Sequence, residues 1–313
     1  MSVAPLLVAE NLVKRFPARG GRPGEAIVAV GGVSLTLAQG ETLGLVGESG
    51  SGKSTVGRLL LRLLRPDAGT IVFDGNALER LGATALRKLR PRMQIVFQNP
   101  YSALNPRMTA EEIVGFNLIP LGLRPAEHRE RVLAAFRLVG LGRDFLGRYP
   151  HQLSGGQAQR VGIARALVSG PDFIVADEIV SALDVSVQAE ILTLLLDLRT
   201  RLRLTTLFIS HNLNVVRYVS DRAAVMYKGT IVEMAPTRML YGAPLHPYTR
   251  LLIHSVPRSQ DAGSVATRER DREELVRELD DYPPGAALVE VAAGHWVQQP
   301  DQKHARATAD VNR

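Results

Sequence analysis

The sequence predicts an α/β protein with a parallel βαβ core, an antiparallel β unit ahead of it and a block of helices inserted within it. Short apolar runs at 42–46, 94–97, 173–176 and 205–209 have the length of buried strands, and helical periodicity follows at 54–64 and 187–202. Alternating apolar residues at 6–13 and 29–37 have the two-residue period of half-buried strands. Between 109 and 166 the pattern turns helical in three stretches.

Taken in order, 6–13 and 29–37 flank the Gly/Arg/Pro-rich piece 19–25 and read as antiparallel strands joined by a loop. The run 42–46 ends in a glycine-rich turn, and the leucines of 54–64 recur at helical spacing, which makes a strand–loop–helix unit. R-P-D-A-G at 65–69 signals a turn, with a further strand at 70–74. Helices are expected at 111–118, 126–139 and 157–168, separated by Gly/Pro turns. Strands 173–176 and 205–209, joined by the helix 187–202, resume a parallel βαβ arrangement. Segments 223–227 and 230–233 flank Lys228-Gly229 as a hairpin. Beyond Pro257 periodicity weakens; 268–279 reads as a charged helix and 281–313 as loosely structured. The expected division is a core of 1–98 and 167–257, a helical subdomain of 99–166 and a tail of 258–313.

Composition narrows the function classes. The absence of cysteine excludes disulfides, thiolate catalysis, Cys-ligated zinc and iron–sulfur clusters, leaving oxygen and imidazole as metal donors. Residues 1–10 lack an export signal, and no stretch reaches the ~18–20 apolar residues of a membrane span, so a cytoplasmic location is expected. The net charge is +7, yet the excess is spread over arginines without an RNA-binding aromatic motif. A basic surface facing anionic lipid or an acidic partner is therefore preferred over nucleic-acid binding.

Gly47-Glu48-Ser49-Gly50-Ser51-Gly52-Lys53-Ser54 satisfies G-x-x-x-x-G-K-[ST] between an expected strand and an expected helix, the setting that a phosphate loop of a P-loop NTPase requires. Its amides turn inward onto phosphates, the helix start that includes Thr55 adds positive potential, Lys53 reaches the β and γ phosphates, and Ser54 ligates Mg²⁺. ATP and Mg²⁺ are the expected ligands. The run 173–178 delivers Asp177 and Glu178 at a strand's C-terminal end, with neighbouring side chains expected to point opposite ways. Asp177 then holds the Mg²⁺ shell while Glu178 polarises the attacking water. Alone, Asp-Glu after a strand is often a solvated helix start; beside a phosphate loop the functional reading is preferred. Leu153-Ser154-Gly155-Gly156-Gln157 opens a helix and offers a second anion site, the bland alternative being a helix cap at Ser154.

With these residues in order, the chain resembles the nucleotide-binding subunit of an ABC transporter, a RecA-like P-loop core with an inserted helical subdomain. Residues 153–157 match that family's signature motif, Gln98 its Q-loop, Ser181-Ala182-Leu183-Asp184 its D-loop and Ser210-His211 its switch histidine. The resemblance covers about residues 6–257. It implies two subunits stacked head to tail, each ATP lying between one subunit's phosphate loop and the other's Ser154, Gly155, Gly156 and Gln157, with Asp184 nearby. It further implies that Phe16 stacks on adenine, that Gln98 senses the γ-phosphate, the metal and the membrane partner, and that His211 steadies the γ-phosphate and attacking water.

V-F-Q-N-P-Y-S-A-L-N-P-R-M at 96–108, S-A-L-D-V-S at 181–186 and P-L-H-P-Y at 244–248 resemble the dipeptide and oligopeptide importer class, as does 287–297. The resemblance implies two separate membrane permeases, a solute-binding protein outside the cell and a second ATPase, similar but non-identical or identical, at the cytoplasmic face of the membrane. It leaves the solute open among dipeptides, oligopeptides, nickel and opine-like compounds. The chain departs from the family pattern at Ile179-Val180 in place of Pro-Thr, Asn212 in place of Asp, Ala158 in place of a basic residue, and in lacking the tail's cysteines. Loss of proline is expected to relax the turn that aims Glu178, lowering precision without abolishing activity. The alternative is a weakly hydrolytic partner in an asymmetric heterodimer.

Overall fold

A computed structural model describes residues 4–18, 26–254, 265–283 and 285–300, with backbone alone for 265–271. The expected loop 19–25 and the stretches 255–264 and 301–313 lie outside the described residues. The chain begins with β1 (Leu7–Pro17) and β2 (Ala26–Leu37), then runs through β3 (Thr42–Val46) into α1 (Lys53–Leu60). Strands β4 (Ala68–Phe73) and β5 (Asn76–Ala77) precede α2 (Ala83–Leu89) and β6 (Met93–Val96). The helical stretch contains α3 (Pro100–Ala103), α4 (Ala110–Gly115), α5 (Pro125–Leu138) and α6 (Gly155–Leu167). Next come β7 (Phe173–Asp177), α7 (Val185–Leu202), β8 (Thr205–Ser210), α8 (Leu213–Val219), β9 (Arg222–Tyr227) and β10 (Thr230–Pro236). Helices α9 (Thr237–Gly242), α10 (Pro247–His254) and α11 (Val265–Glu278) lead to β11 (Leu288–Ala292) and β12 (His295–Gln298).

Two sheets form. One has the order β2-β1-β4-β5, with β1 antiparallel to both of its neighbours, and the other β11-β12-β10-β9-β3-β8-β7-β6. Strands β6, β7, β8, β3 and β9 are parallel, aligned so that Val46 pairs with Ser210 and Val225 while Ala176 pairs with Val96 and Phe208. β3, β7 and all but one residue of β8 are buried, which explains why they read as unbroken apolar runs. Leu7, Leu37, Leu43, Leu59, Phe73 and Phe173 fill one core between the two sheets, and Phe136, Ile163, Ile179 and Phe208 belong to a second core on the helical side. Each such side chain contributes about 1.5–3 kcal/mol when fully buried. No helix among the described residues is long and apolar enough to cross a membrane.

The expectation of a loose segment over 281–313 is overturned at 288–298, while 301–313 lies outside the described residues. Residues 288–298 form a hairpin that adds to the large sheet, with Glu233 opposite Val297 and Met234 opposite Trp296. The hairpin's own strands are short and β11 is largely exposed, so their order depends on the β10 edge rather than on local pattern.

A buried polar network anchors this edge. The fully buried Glu233 carboxylate accepts the Leu245 and His246 amides, each at 2.9 Å, and lies 2.8 Å from His295 Nε2. His246 Nδ1 in turn accepts the Tyr248 amide at 3.1 Å, and burial, reinforced by Arg250, depresses the imidazole pKa to about 4. A group held neutral in the fold but protonatable in the unfolded chain stabilises the fold above its unfolded pKa, ~6.5, and loses that contribution as pH falls through about 4. The midpoint of urea unfolding is therefore expected to fall more steeply between pH 6.5 and 4 for the wild type than for His246→Asn, a difference on the order of 2 kcal/mol. Parallel pH profiles would show that His246 does not carry the dependence.

Candidate functional site

The phosphate-loop motif lies between β3 and α1, as its strand–loop–helix context requires. Gly52 takes φ 102°, and a Cβ there would lie 2.1 Å from the Ala29 carbonyl oxygen, so this turn tolerates no side chain. Lys53 is 4% exposed and its ammonium donates to the Gly47 and Glu48 carbonyls, both at 2.7 Å. Burial pulls its pKa down, while Glu178, Asp177 and Glu48 oppose that shift. The loop is also fastened from outside: Gly229 N–H donates to the Ser51 carbonyl at 3.1 Å. Ser49 and Gly50 face solvent and Thr55 lies in the first turn of α1.

Ser54 Oγ donates to Asp177 Oδ1 at 2.8 Å, and Asp177, 5% exposed, has its pKa raised chiefly by burial and held back by that hydrogen bond. A hydroxyl and a carboxylate are hard oxygen donors suited to Mg²⁺. The adjacent Glu178 is not the next residue of the strand. It lies beyond β7 with φ 48°, a left-handed conformation uncommon for a non-glycine residue, and its carboxylate meets Gln98 and His211 while that of Asp177 meets Ser54. Strand alternation was therefore the wrong reason for the divergence of the two carboxylates.

The turn is held by Glu178 N–H donating to the Ile209 carbonyl at 3.0 Å and by the Ser181 amide and hydroxyl donating to the Glu178 carbonyl at 3.1 and 2.8 Å. Ile179 and Val180, 1% and 4% exposed, bury themselves in the helical-side core, so the turn closes without a proline. Gln98 Nε2 donates to Glu178 Oε2 at 3.0 Å, and His211 Nδ1 lies 3.4 Å from that oxygen. Gln98 thus sits with Glu178, His211 and Ser181 rather than in hydrogen-bond contact with Ser54 or Asp177. Asn212 caps α8, its side chain accepting the Asn214 and Val215 amides.

Other expected residues lie apart. Ser154 caps α6 in a capping box with Gln157, and Gly156 approaches so near α7 that a Cβ would lie 2.7 Å from Val187 Cγ1. Asp184 caps α7, accepting the Val187 amide and the Ser186 hydroxyl, and these bonds lower its pKa. Among the described residues no hydrogen bond joins Ser154–Gln157 or Asp184 to the phosphate loop. Phe16, 36% exposed, faces Ile27 on β2, two residues from the Ala29 carbonyl that closes on Gly52. Ala158 is fully buried.

Three contributors were not legible beforehand. The Tyr101 hydroxyl donates to the Leu153 carbonyl at 2.8 Å, and Arg165 donates to the Ala103 carbonyl at 2.6 Å, tying the segment after Gln98 to the start and end of the signature helix. Ser181 braces Glu178 as above. The only sequence signal for Tyr101 and Ser181 was position within the 96–108 and 181–186 motifs, and Arg165, in the helix after 153–157, had none.

The ABC transporter family model matches residues 30–181, and a model described as the oligopeptide/dipeptide transporter C-terminal region matches residues 232–285. The oligopeptide transport ATP-binding protein AppF of Bacillus subtilis is 48% identical over 271 residues, 85% of this chain and 82% of AppF. The glutathione import ATP-binding protein GsiA of Escherichia coli is 46% identical over 96% of this chain, which spans 49% of GsiA. Among solved structures, the dimeric post-hydrolysis state of the ATP-binding cassette MJ0796 bound to ADP and Pi superposes with a TM-score of 0.67 at 32% identity, covering 74% of this chain and 99% of that one. With its strand–loop–helix phosphate cradle and its identity to AppF over most of both chains, the protein belongs to the ABC transporter family as one of its ATP-binding, ATP-hydrolysing subunits.

Proposed function

We propose that this subunit drives uptake of a peptide-like solute through two separate membrane permeases, acting from the cytoplasmic face of the membrane as a peripheral protein. The observation that carries the reading is the convergence of Gln98 and His211 on the Glu178 carboxylate, one residue beyond the Ser54–Asp177 pair and close enough for Glu178 to act on Lys53. In this reading the backbone of Gly47–Ser51 and the α1 start wrap the triphosphate, Lys53 neutralises it, and Phe16 stacks on the adenine. Ser54 and Asp177 would hold Mg²⁺, with Gln98 as a further candidate ligand, and the ion would supply charge neutralisation to the phosphates. Glu178 accepts the proton of the attacking water and His211 steadies the water and the γ-phosphate.

Ser154 and Asp184 are exposed and Gly155–Gln157 half-buried, and none is hydrogen-bonded to the phosphate loop of its own subunit, which supports a head-to-tail pair in which each completes the other's site. The partner is a second ATPase of the same family, a sister chain or another copy. AppF and GsiA are named for oligopeptide transport and glutathione import, which supports a peptide-like cargo; its delivery by a solute-binding protein outside the cell belongs to the same proposal. The bonds from Tyr101 to the Leu153 carbonyl and from Arg165 of α6 to the Ala103 carbonyl support a mechanical route from the Gln98–Met108 surface to the signature residues.

The cysteine-free chain allows a clean test of the pairing. Ser49→Cys together with Ser154→Cys, in the assembled transporter, is expected to give a MgATP-dependent cross-link between ATPase subunits, and its absence from the chain alone and from the assembly would count against the head-to-tail arrangement. Single-turnover hydrolysis by the assembly decides against a weakly hydrolytic role if the wild-type site turns over at the assembly's steady-state rate. Ser54→Ala is expected to weaken Mg²⁺-dependent ATP binding about tenfold, read as a rightward shift of the Mg²⁺ titration; an unmoved titration would remove Ser54 from the metal site.

A further inference from the structure

The phosphate loop is braced by a residue two hundred positions away in sequence. Glu48 N–H donates to the Tyr248 phenol oxygen at 3.0 Å. Tyr248 is 2% exposed, and burial raises its pKa, so the phenol stays neutral and available as an acceptor. Its ring packs on Tyr227, centroids 4.3 Å apart, at the end of β9. The Tyr248 amide is fixed by His246 Nδ1, and the His246 and Leu245 amides are fixed by the Glu233 carboxylate, which also lies against His295 of the C-terminal hairpin. A continuous run of buried contacts therefore leads from that hairpin to the second residue of the phosphate loop.

We propose that Tyr248 is a positioning residue for ATP binding: its phenol oxygen holds the Glu48 amide and with it the entry turn of the phosphate loop, and Glu233 sets Tyr248 in place by holding the 245–248 turn. The proposal rests on the reading of Gly47–Thr55 as the triphosphate cradle. The loop's first turn follows Gly47, where the chain leaves β3 and must present successive amides inward. Withdrawing the phenol oxygen leaves the Glu48 amide without its protein partner and frees the turn to sample conformations that ATP must then select against. The ring, its packing on Tyr227 and the backbone network are untouched by that change, so the effect falls on the ligand more than on the fold.

Tyr248→Phe is expected to raise the Kd for MgATP three- to tenfold in full-length protein, read by displacement of a fluorescent nucleotide, with KM for ATP in the assembled transporter rising in step and kcat staying within twofold. Tyr227→Phe, which removes a neighbouring hydroxyl but keeps the ring packing and the Glu48 bond, is expected to leave the Kd unchanged. Glu233→Gln, which weakens the hold on the turn, is expected to raise the Kd in the wild-type background and to add little in the Tyr248→Phe background, because both act through one contact. A Tyr248→Phe Kd within 1.5-fold of wild type, alongside loss of binding in Lys53→Ala, would overturn the positioning role and leave the cradle standing. Equal effects of Tyr227→Phe and Tyr248→Phe, or additive effects of Glu233→Gln and Tyr248→Phe, would overturn it in favour of effects that do not pass through the Glu48 bond. Wild-type nucleotide affinity in Lys53→Ala would remove the cradle and this inference together.

Discussion

Glu178→Gln is expected to lower ATP turnover of the assembled transporter by about 10²–10⁴-fold while leaving MgATP affinity within a few-fold of wild type. Glutamine matches glutamate in size and keeps an oxygen that can accept from Gln98, so the contact at 3.0 Å can survive. What disappears is the charge that draws a proton from water, and a loss of 10²–10⁴ corresponds to roughly 3–5 kcal/mol of transition-state stabilisation. The left-handed backbone of Glu178, held by Ile209 and Ser181, means that the replacement inherits the same aim. Steady-state phosphate release and a separate binding isotherm distinguish lost chemistry from lost binding. Unchanged turnover would show that the proton goes elsewhere.

Lys53→Ala is expected to weaken MgATP binding by about 100-fold or more and to abolish the thermal stabilisation that ATP gives the wild type. The ammonium is buried against two loop carbonyls and close to Asp177, Glu178 and Glu48, so it offsets acidic charge as well as reaching the phosphates. Hydrogen bonds to a charged group are worth about 1.5–3 kcal/mol each, and losing the two that the ammonium would make to the β and γ phosphates accounts for the expected factor. In the apo protein the variant also leaves three acidic groups less compensated, so a modest fall in unfolding midpoint should accompany the loss of binding. A thermal-shift titration that still responds to MgATP at wild-type concentrations would contradict the assignment.

Much of the architecture was legible because the features that specify it are local. The buried strands β3, β7 and β8 announce themselves as short apolar runs, and the phosphate loop follows from glycine positions that only a backbone turning onto an anion requires. The amphipathic helices declare their period in the same way. The C-terminal hairpin was missed because β11 and β12 have little core of their own and are ordered by the edge of β10. Glu178's conformation escaped for a related reason: φ 48° is imposed by hydrogen bonds from Ser181 and to Ile209, and no single residue type encodes it. Ile179-Val180 looked like a weakness from sequence alone, yet burial in the helical-side core supplies an anchor where proline would have supplied stiffness.

The sequence by itself determined the α/β class, the phosphate loop, the identities of Lys53, Ser54, Asp177, Glu178, Gln98 and His211 as candidates, and the absence of any thiol chemistry, since each depends on residue type and short-range spacing. Only the tertiary structure decided which of them meet. It gathered Gln98, Glu178, Ser181 and His211, paired Ser54 with Asp177, and kept Ser154 and Asp184 as helix caps away from the loop. It also brought Tyr248 to Glu48 across 200 residues. Such long-range contacts are set by sheet order and by the packing of helices on both cores, quantities that no local pattern of side chains contains.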